Sequence, residues 1–206
     1  MRAAGSGWDV STTTTAMTGR LICPFVILID TAEQQPFSFT GIRSDAAHGN
    51  AEYQVNCRSF CLGRHPHSKG DYSIYGHVGR VGVERKSKDD AYGTFLGWDG
   101  HRERFERELE NLSAMSTAMV VVEADFSEFL KDAPEWGVKT AAENRVILHR
   151  SIIAWAQDYK VPFIFAGNRR TAEVTTFRFF ERYWRKVNET QREKEARRQA
   201  QERGSF

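Results

Sequence analysis

Two short runs of aromatic and β-branched residues, separated by a turn with a glycine at each end, most constrain how this 206-residue chain can fold. The runs span residues 71–75 and 80–86. Their composition is typical of strands, and Gly76 and Gly79 suit a tight hairpin turn. Pairing these two glycines carries the register along the hairpin until Asp71 lies opposite Glu84. We therefore predict a hairpin that brings two carboxylates side by side.

The opposed carboxylates predict a cation site. Directly opposed residues have Cβ atoms about 4.5–5.5 Å apart, and like charges at that spacing are destabilising. A divalent cation with oxygen ligands would offset the repulsion. Because side chains alternate along a strand, Lys86 shares the face of Glu84, whereas Val81, Val83 and Arg85 point the other way. We expect the Arg85 side chain to have a structural role.

Composition leaves the partner open but indicates the compartment. The formal net charge is only +2, so nucleic-acid binding would need local basic patches rather than a global field. An odd number of cysteines, three, without a secretory pattern indicates reduced thiols in an intracellular, cytoplasmic protein. No apolar run approaches the roughly 18–20 residues of a membrane span, so we expect no membrane partner.

Hydrophobic patterning predicts alternating strands and helices around one core. Besides the hairpin, strands are expected at residues 24–30, 51–62, 118–124 and 161–166. Helices are expected at residues 88–96, 101–115, 126–130, 140–159 and from 171 onward. The first strand is a continuous apolar run, so we expect it to be central and buried on both faces. The aromatic side of the last helix is expected in the core rather than in a dimer face.

The predicted domain organisation is simple. Residues 1–20, rich in Gly, Ser, Thr and Ala, are expected to form a flexible leader. Residues 21–187 are expected to form one domain, and residues 188–206 a charged tail.

The acidic residues and the lysine suit one reaction class. Asp30, Asp71 and Glu84 together with Lys86 fit metal-assisted phosphodiester hydrolysis. In that chemistry a cation polarises the phosphoryl oxygen, and the lysine orients or deprotonates the attacking water. Cationic side chains for DNA phosphates are available in the two predicted helices after the hairpin. They are Lys88, His101, Arg102, Arg104 and Arg107.

These residues form a recognisable pattern. Gly70-Asp71, followed by Glu84-Arg85-Lys86 and then Asp90, resembles the signature of the XPF-type nuclease family. This is the excision repair cross-complementing group four domain shared by XPF and Hef. Residues 27–33, 104–109 and 120–123 resemble further segments of the family, so the resemblance spans about residues 24–185.

The resemblance implies a fold and an activity. The implied fold is α/β and restriction-endonuclease-like (PD-(D/E)xK), with a mixed central sheet flanked by helices. The implied activity is Mg²⁺- or Mn²⁺-dependent cleavage of branched, flap or fork DNA in repair, recombination or phage DNA processing. The chain resembles a stand-alone bacterial or phage-like member without the tandem helix-hairpin-helix module. We therefore expect a homodimer or a partner protein to assist it.

Site roles follow from the same resemblance. Asp71, Glu84, Asp30 and the backbone carbonyl of Arg85 are the expected metal ligands. Glu33 is expected to line the same site. Lys86 is expected to position or activate water, and Asp90 to support the lysine or the substrate. The residues expected toward the DNA are Arg102, Arg104, Arg107 and Glu108.

One position departs from the family pattern. Ala32 stands where the family has an arginine. Either Arg43 or one of the arginines between residues 102 and 107 replaces the missing arginine, or the activity is reduced.

Two alternatives stay open at this point. The first is a non-catalytic DNA-binding or partner subunit with the same fold. The second is a nuclease with a single-strand or sequence-specific preference, because fold alone does not define substrate.

Overall fold

The computed structural model describes residues 20–64 and 70–203, which are built around a six-stranded mixed sheet. The strands are β1 (Arg20–Asp30), β2 (Glu52–Phe60), β3 (Tyr72–Ile74), β4 (Val81–Lys86), β5 (Thr117–Val122) and β6 (Phe163–Phe165). Their spatial order is β2-β1-β3-β4-β5-β6. Strand β3 runs antiparallel to both neighbours, and the other pairs are parallel. The predicted leader falls almost wholly outside the described residues.

Helices flank the sheet, which confirms the predicted α/β class with a mixed sheet. They are α1 (Lys88–Leu96), α2 (His101–Ser113), α3 (Phe126–Lys131), α4 (Ala141–Asp158) and α5 (Arg169–Arg203). Helix α1 has the predicted bounds because Ser87 caps its first turn and Gly97 ends it in a left-handed conformation. The charged segment from residue 188 to 203 continues α5. In the described part of the chain, no helix is long and apolar enough to cross a bilayer.

The hairpin has the predicted register. Tyr72 pairs with Val83, which places Asp71 beside Glu84 on adjacent strands. The strands are shorter than predicted, because residues 75–80 form the turn. The Ser73 hydroxyl donates to the Val81 carbonyl at 2.7 Å and links the two strands near this turn.

The first strand lies inside the sheet as predicted, between β2 and β3, although it is second from the edge rather than at the centre. Ile27 and Leu28, which point to opposite faces, are 0% and 2% exposed, so the strand is buried on both faces there. The strand begins at Arg20, earlier than predicted, and Ile22 in this added segment is 47% exposed. The pairing of β1 with β2 also shifts between Ile22 and Val26. Pro24 lies within this shift, and a proline has no N–H to donate to a neighbouring strand.

Two apolar clusters lie on opposite faces of the sheet. The first joins one face of β1, β3 and β4 to α5, whose Phe177 and Phe180 are fully buried. This confirms that the aromatic side of α5 belongs to the core. The second cluster joins α1, α2 and α4 to β5, with Phe95 and Phe105 at its centre.

Arginines of α5 hold the loop that follows β1. Arg169 donates to the carbonyls of Gln35 (2.7 Å) and Pro36 (3.0 Å). Arg170 donates to the carbonyls of Thr40 (2.8 Å) and Gly41 (3.0 Å). Arg178 donates to the Arg43 carbonyl. We call Arg169, Arg170 and Arg178 the arginine clamp, since together they satisfy the carbonyl groups of this loop.

Gly70 is required by the close approach of the chain to β4. Its φ is +105°, and an added Cβ would lie 3.0 Å from the Val83 carbonyl oxygen. We expect Gly70→Ala to lower the free energy of unfolding by about 1–3 kcal/mol in urea denaturation. Gly63→Ala is the matched control, because nothing lies within 4 Å of that Cβ position. Equal losses in the two variants would contradict the assignment of strain to Gly70.

Candidate active site

Three acidic residues stand on adjacent strands in one row. The Asp30 amide donates to the Asp71 carbonyl at 2.8 Å, and the Asp71 amide donates to the Val83 carbonyl at 2.9 Å. The register of β3 with β4 then sets Glu84 beside Asp71. Adjacent strands lie about 4.7–4.9 Å apart, so the three residues form a continuous carboxylate row across the sheet.

The centre of the row is buried and occupied by charged groups. Glu84 is 5% exposed and Lys86 is 9% exposed. The Lys86 ammonium donates to Glu84 Oε1 at 2.7 Å and lies 3.5 Å from an Asp90 carboxylate oxygen. Asp71 Oδ2 accepts a hydrogen bond of 2.7 Å from the backbone amide of Arg85. Backbone geometry therefore orients Asp71, and an ion pair orients Glu84.

The protonation equilibria of this centre are strongly perturbed. Burial raises the pKa of Asp71 well above its ordinary value, and the negative charge of Glu84 raises it further. Burial alone would lower the pKa of Lys86, but the charges of Glu84 and Asp90 outweigh it and raise that pKa. In this arrangement the Lys86 ammonium donates a hydrogen bond to Glu84.

A second ion-pair network lies on the opposite face of β4. Arg85 Nε donates to Glu123 Oε1 at 2.7 Å, and its Nη1 donates to Glu33 Oε1 at 3.3 Å. Arg169 Nη1 reaches the same Glu123 oxygen at 3.0 Å. The two arginines also lie over the ring of Phe37, at 5.5 Å and 5.1 Å from its centroid. The network anchors β4 to the loop after β1 and to α5.

Two of the predicted site residues have their carboxylates engaged elsewhere. Glu33 is held by Arg85 on the opposite face, although its charge still contributes to raising the pKa of Asp71. The Asp30 oxygens accept from the amides of Ala32 at 2.7 Å and Gly63 at 3.2 Å. The structure thus brings Asp71, Glu84 and Lys86 into contact, with Asp90 beside the lysine.

The predicted DNA-facing residues of α2 differ in how accessible they are. Arg102 lies 4.6 Å from the Trp155 ring centroid and donates to the Phe95 carbonyl and the Ser151 hydroxyl, so it is engaged in the fold. Arg104 and Arg107 are exposed, whereas Glu108 is half-buried.

Sequence reasoning did not assign roles to Glu123 and Arg169. Glu123 follows β5, which pairs in parallel with β4, so its position next to Arg85 could have been inferred from strand order. Arg169 lies 84 positions after Arg85, and no local pattern connects the two. Arg43, one of the candidate substitutes for the missing arginine, donates to the Asn50 carbonyl at 3.4 Å.

The donor set of the carboxylate row fits a hard divalent cation. Among residues 20–64 and 70–203, no three His, Cys, Asp or Glu side chains are grouped to hold a metal. Asp71 and Glu84 nevertheless supply two adjacent carboxylates, and the backbone carbonyl of Arg85 is a further oxygen donor on the same strand. A cation would also relieve the repulsion that raises the pKa of Asp71.

Two solved structures are similar to this chain. XPF from Aeropyrum pernix in complex with DNA superposes with a TM-score of 0.50 at 16% identity, covering 79% of this chain and 66% of that one. XPF from Aeropyrum pernix gives a TM-score of 0.45 at 20% identity, covering 80% and 69%. No protein-family model matches the chain, and neither does any curated protein. The first similarity confirms the predicted restriction-endonuclease-like fold, and the chain spans about two thirds of that structure's length.

Proposed function

We propose that this protein is a Mg²⁺- or Mn²⁺-dependent endonuclease that hydrolyses phosphodiester bonds in branched, flap or fork DNA. The observation that carries the proposal is the placement of Asp71 beside the buried Glu84, to which Lys86 is bonded. Two neighbouring carboxylates that share one ammonium serve packing poorly, because buried charge is costly. They serve phosphoryl transfer well, since that reaction needs fixed charge around a phosphate.

The metal would be held by Asp71, Glu84 and the Arg85 carbonyl. Asp30 lies in the same row and is a candidate fourth ligand. A bound cation would supply Lewis acidity and a water of lowered pKa. The chain's own contribution is to fix the ligands. The Arg85 amide orients the Asp71 carboxylate, and the network of Arg85 with Glu33 and Glu123 keeps that strand in place.

Lys86 would act as a fixed hydrogen-bond donor. Its ammonium lies between Glu84 and Asp90 and 5.3 Å from the Phe105 ring centroid, so its position is restricted on several sides. From there it would orient the attacking water and donate to the charge that develops on the phosphoryl oxygens. Asp90 would hold the ammonium in place.

Phosphates on either side of the scissile bond would need additional cations. Arg104 and Arg107 are exposed on α2, whose Leu112 packs over Gly82 of β4. Phosphate contacts of this kind position the DNA without reading its sequence. A role in repair, recombination or phage DNA processing, in the cytoplasm and with a homodimer or partner protein, is the setting proposed for such an activity.

The test is cleavage of labelled flap, fork, junction, duplex and single-stranded DNA with Mg²⁺, Mn²⁺ or a chelator. We expect cleavage near branch points in the wild type, no cleavage with chelator, and a loss of at least about 100-fold in Glu84→Gln. Glu195→Gln makes the same substitution at an exposed position of α5. It is the matched control and should cleave normally.

Each other result has a defined meaning. Cleavage that survives Glu84→Gln would exclude the carboxylate row as the active site. Tight binding of branched DNA without cleavage by the wild type would instead favour a non-catalytic subunit. Calorimetric titration should show Mn²⁺ affinity falling in Glu84→Gln and not in Glu195→Gln.

A further inference from the structure

The sheet face that carries the carboxylate row is covered by helices over only part of its width. The second apolar cluster, formed by α1, α2, α3 and α4, includes no residue of β1, β2 or β3. Its cover extends as far as β4, where a Cβ on Gly82 would meet Met115 Sδ at 2.8 Å. On β1, β2 and β3 the same face is covered only in part: Leu28 and Ser73 are each 2% exposed, whereas larger side chains around them reach solvent.

Large exposed side chains project from this part of the face. Tyr75 is 60% exposed, Ile22 47% and Phe60 41%. Arg58 on β2 is exposed and places its guanidinium 5.8 Å from the Tyr75 ring centroid. We call Ile22, Asn56, Arg58, Phe60 and Tyr75 the open face. Exposed aromatic side chains grouped around a cation are unusual on a surface that only faces water.

The open face is continuous with the carboxylate row. Phe60 pairs with Asp30, so it extends the row by one strand. Arg58 is two residues back on the same strand and pairs with Leu28. Residues two apart on one strand face are separated by about 6.6 Å. Tyr75, whose amide donates to the Val26 carbonyl, lies one further step from the row on the other side of β1. An extended ligand leaving the row would therefore meet Phe60, then Arg58, then Tyr75.

We infer that the open face binds single-stranded DNA that leads away from the scissile phosphate. The inference rests on the proposed nuclease function and specifies which part of a branched substrate the sheet holds. Unpaired bases can stack on exposed aromatic rings, and this stacking tolerates any sequence. Arg58 between the two rings can neutralise a backbone phosphate. Bases within a duplex are already stacked and cannot reach these rings.

The composition of the open face favours this ligand over a second copy of the chain. A self-complementary interface would need apolar contacts at its centre, whereas the position next to Arg58 on the same strand face is the exposed amide Asn56. Gln54 adds another exposed amide side chain to this strand face. Cation, amide and aromatic groups in sequence are the donor and stacking groups that single-stranded nucleic acid uses.

The test is fluorescence anisotropy of a labelled oligothymidine in chelator, where no cleavage occurs. We expect Tyr75→Leu and Phe60→Leu each to weaken binding about 5- to 100-fold. Arg58→Ala should weaken binding and flatten its salt dependence. Trp136→Leu and Arg150→Ala are matched controls at exposed positions outside the open face, and they should bind like the wild type. Melting temperatures would show that every variant is folded.

The outcomes separate this inference from the proposed function. Normal oligothymidine binding by the Tyr75 and Phe60 variants, together with normal cleavage by the wild type, would overturn the open-face assignment and leave the nuclease proposal intact. Weakened binding by these variants in a protein that cuts nothing would support the open face and contradict the nuclease. A dimer in sedimentation velocity that Tyr75→Leu dissociates would overturn the inference in favour of a protein interface.

Discussion

Replacing Asp71 with asparagine is expected to abolish DNA cleavage and, at the same time, to stabilise the metal-free protein. The variant loses a proposed metal ligand, so cleavage should fall by at least about 100-fold. It also removes the Asp71 carboxylate, whose pKa is raised by its burial and by the negative charge of Glu84. Each kcal/mol of relieved repulsion should raise the melting temperature by roughly 2–4 °C for a chain of this size.

The gain in stability should depend on pH with a definite sign. The folded-state pKa of Asp71 is raised, so the folded state binds its proton more tightly than the unfolded chain does. Its favourable contribution is complete below the unfolded pKa of about 3.9 and is lost as the pH rises through the folded pKa. The asparagine variant has no carboxyl group at this position, so its stability does not fall in this way as the pH rises. Its advantage over the wild type should therefore be smallest in acid and grow toward neutral pH.

Thermal unfolding in chelator between acid and neutral pH would measure this effect. Asp158→Asn, at an exposed position at the end of α4, is the matched control and should leave cleavage and the pH profile unchanged. A parallel pH profile for Asp71→Asn and the wild type would contradict the raised pKa. Retained cleavage in Asp71→Asn would contradict its role at the metal.

Replacing Lys86 with methionine is expected to combine loss of cleavage with strong destabilisation. Methionine keeps much of the side-chain volume but leaves Glu84 buried without its ammonium partner at 2.7 Å. Removing one member of a buried pair typically costs about 3–5 kcal/mol. That loss corresponds to a decrease of roughly 6–20 °C in melting temperature for a chain of this size.

Two comparisons sharpen the Lys86 experiment. Lys88→Met removes a surface ion pair between Lys88 and Asp132. Because both side chains are substantially exposed, the loss should change the free energy of unfolding by less than about 1 kcal/mol. Adding Mn²⁺ should recover part of the stability of Lys86→Met, because the cation would neutralise the uncovered carboxylates. Destabilisation that Mn²⁺ leaves unchanged would argue against Asp71 and Glu84 as metal ligands.

The hairpin at the centre of the site could be derived from the sequence because its determinants are local. Two glycines define the turn, and a period of two assigns each side chain to a face, so the placement of Asp71 beside Glu84 and of Arg85 on the far side followed directly. The start of α1 could be predicted equally well, since Ser87 caps the helix within the same segment.

The parts that were missed depend on contacts between residues distant in sequence. Arg85 is joined to Glu33 and Glu123, which lie 52 and 38 positions away, and no periodicity predicts such pairs. The carboxylate of Asp30 was expected in the metal site, whereas two backbone amides hold it in the structure. Short acidic side chains often bond nearby amides in turns, and this local alternative competes with a ligand role.

The arginine clamp also sets an order of events during synthesis. The loop that it holds follows the first strand, whereas Arg169, Arg170 and Arg178 belong to the last described helix. Chains emerge from the ribosome from the N-terminal end, at about 5–20 residues per second. The loop carrying Glu33, and through it Arg85, can therefore be fixed only after more than 120 further residues have been made. A partly synthesised chain has every residue of the carboxylate row and still lacks the support that holds the row in place.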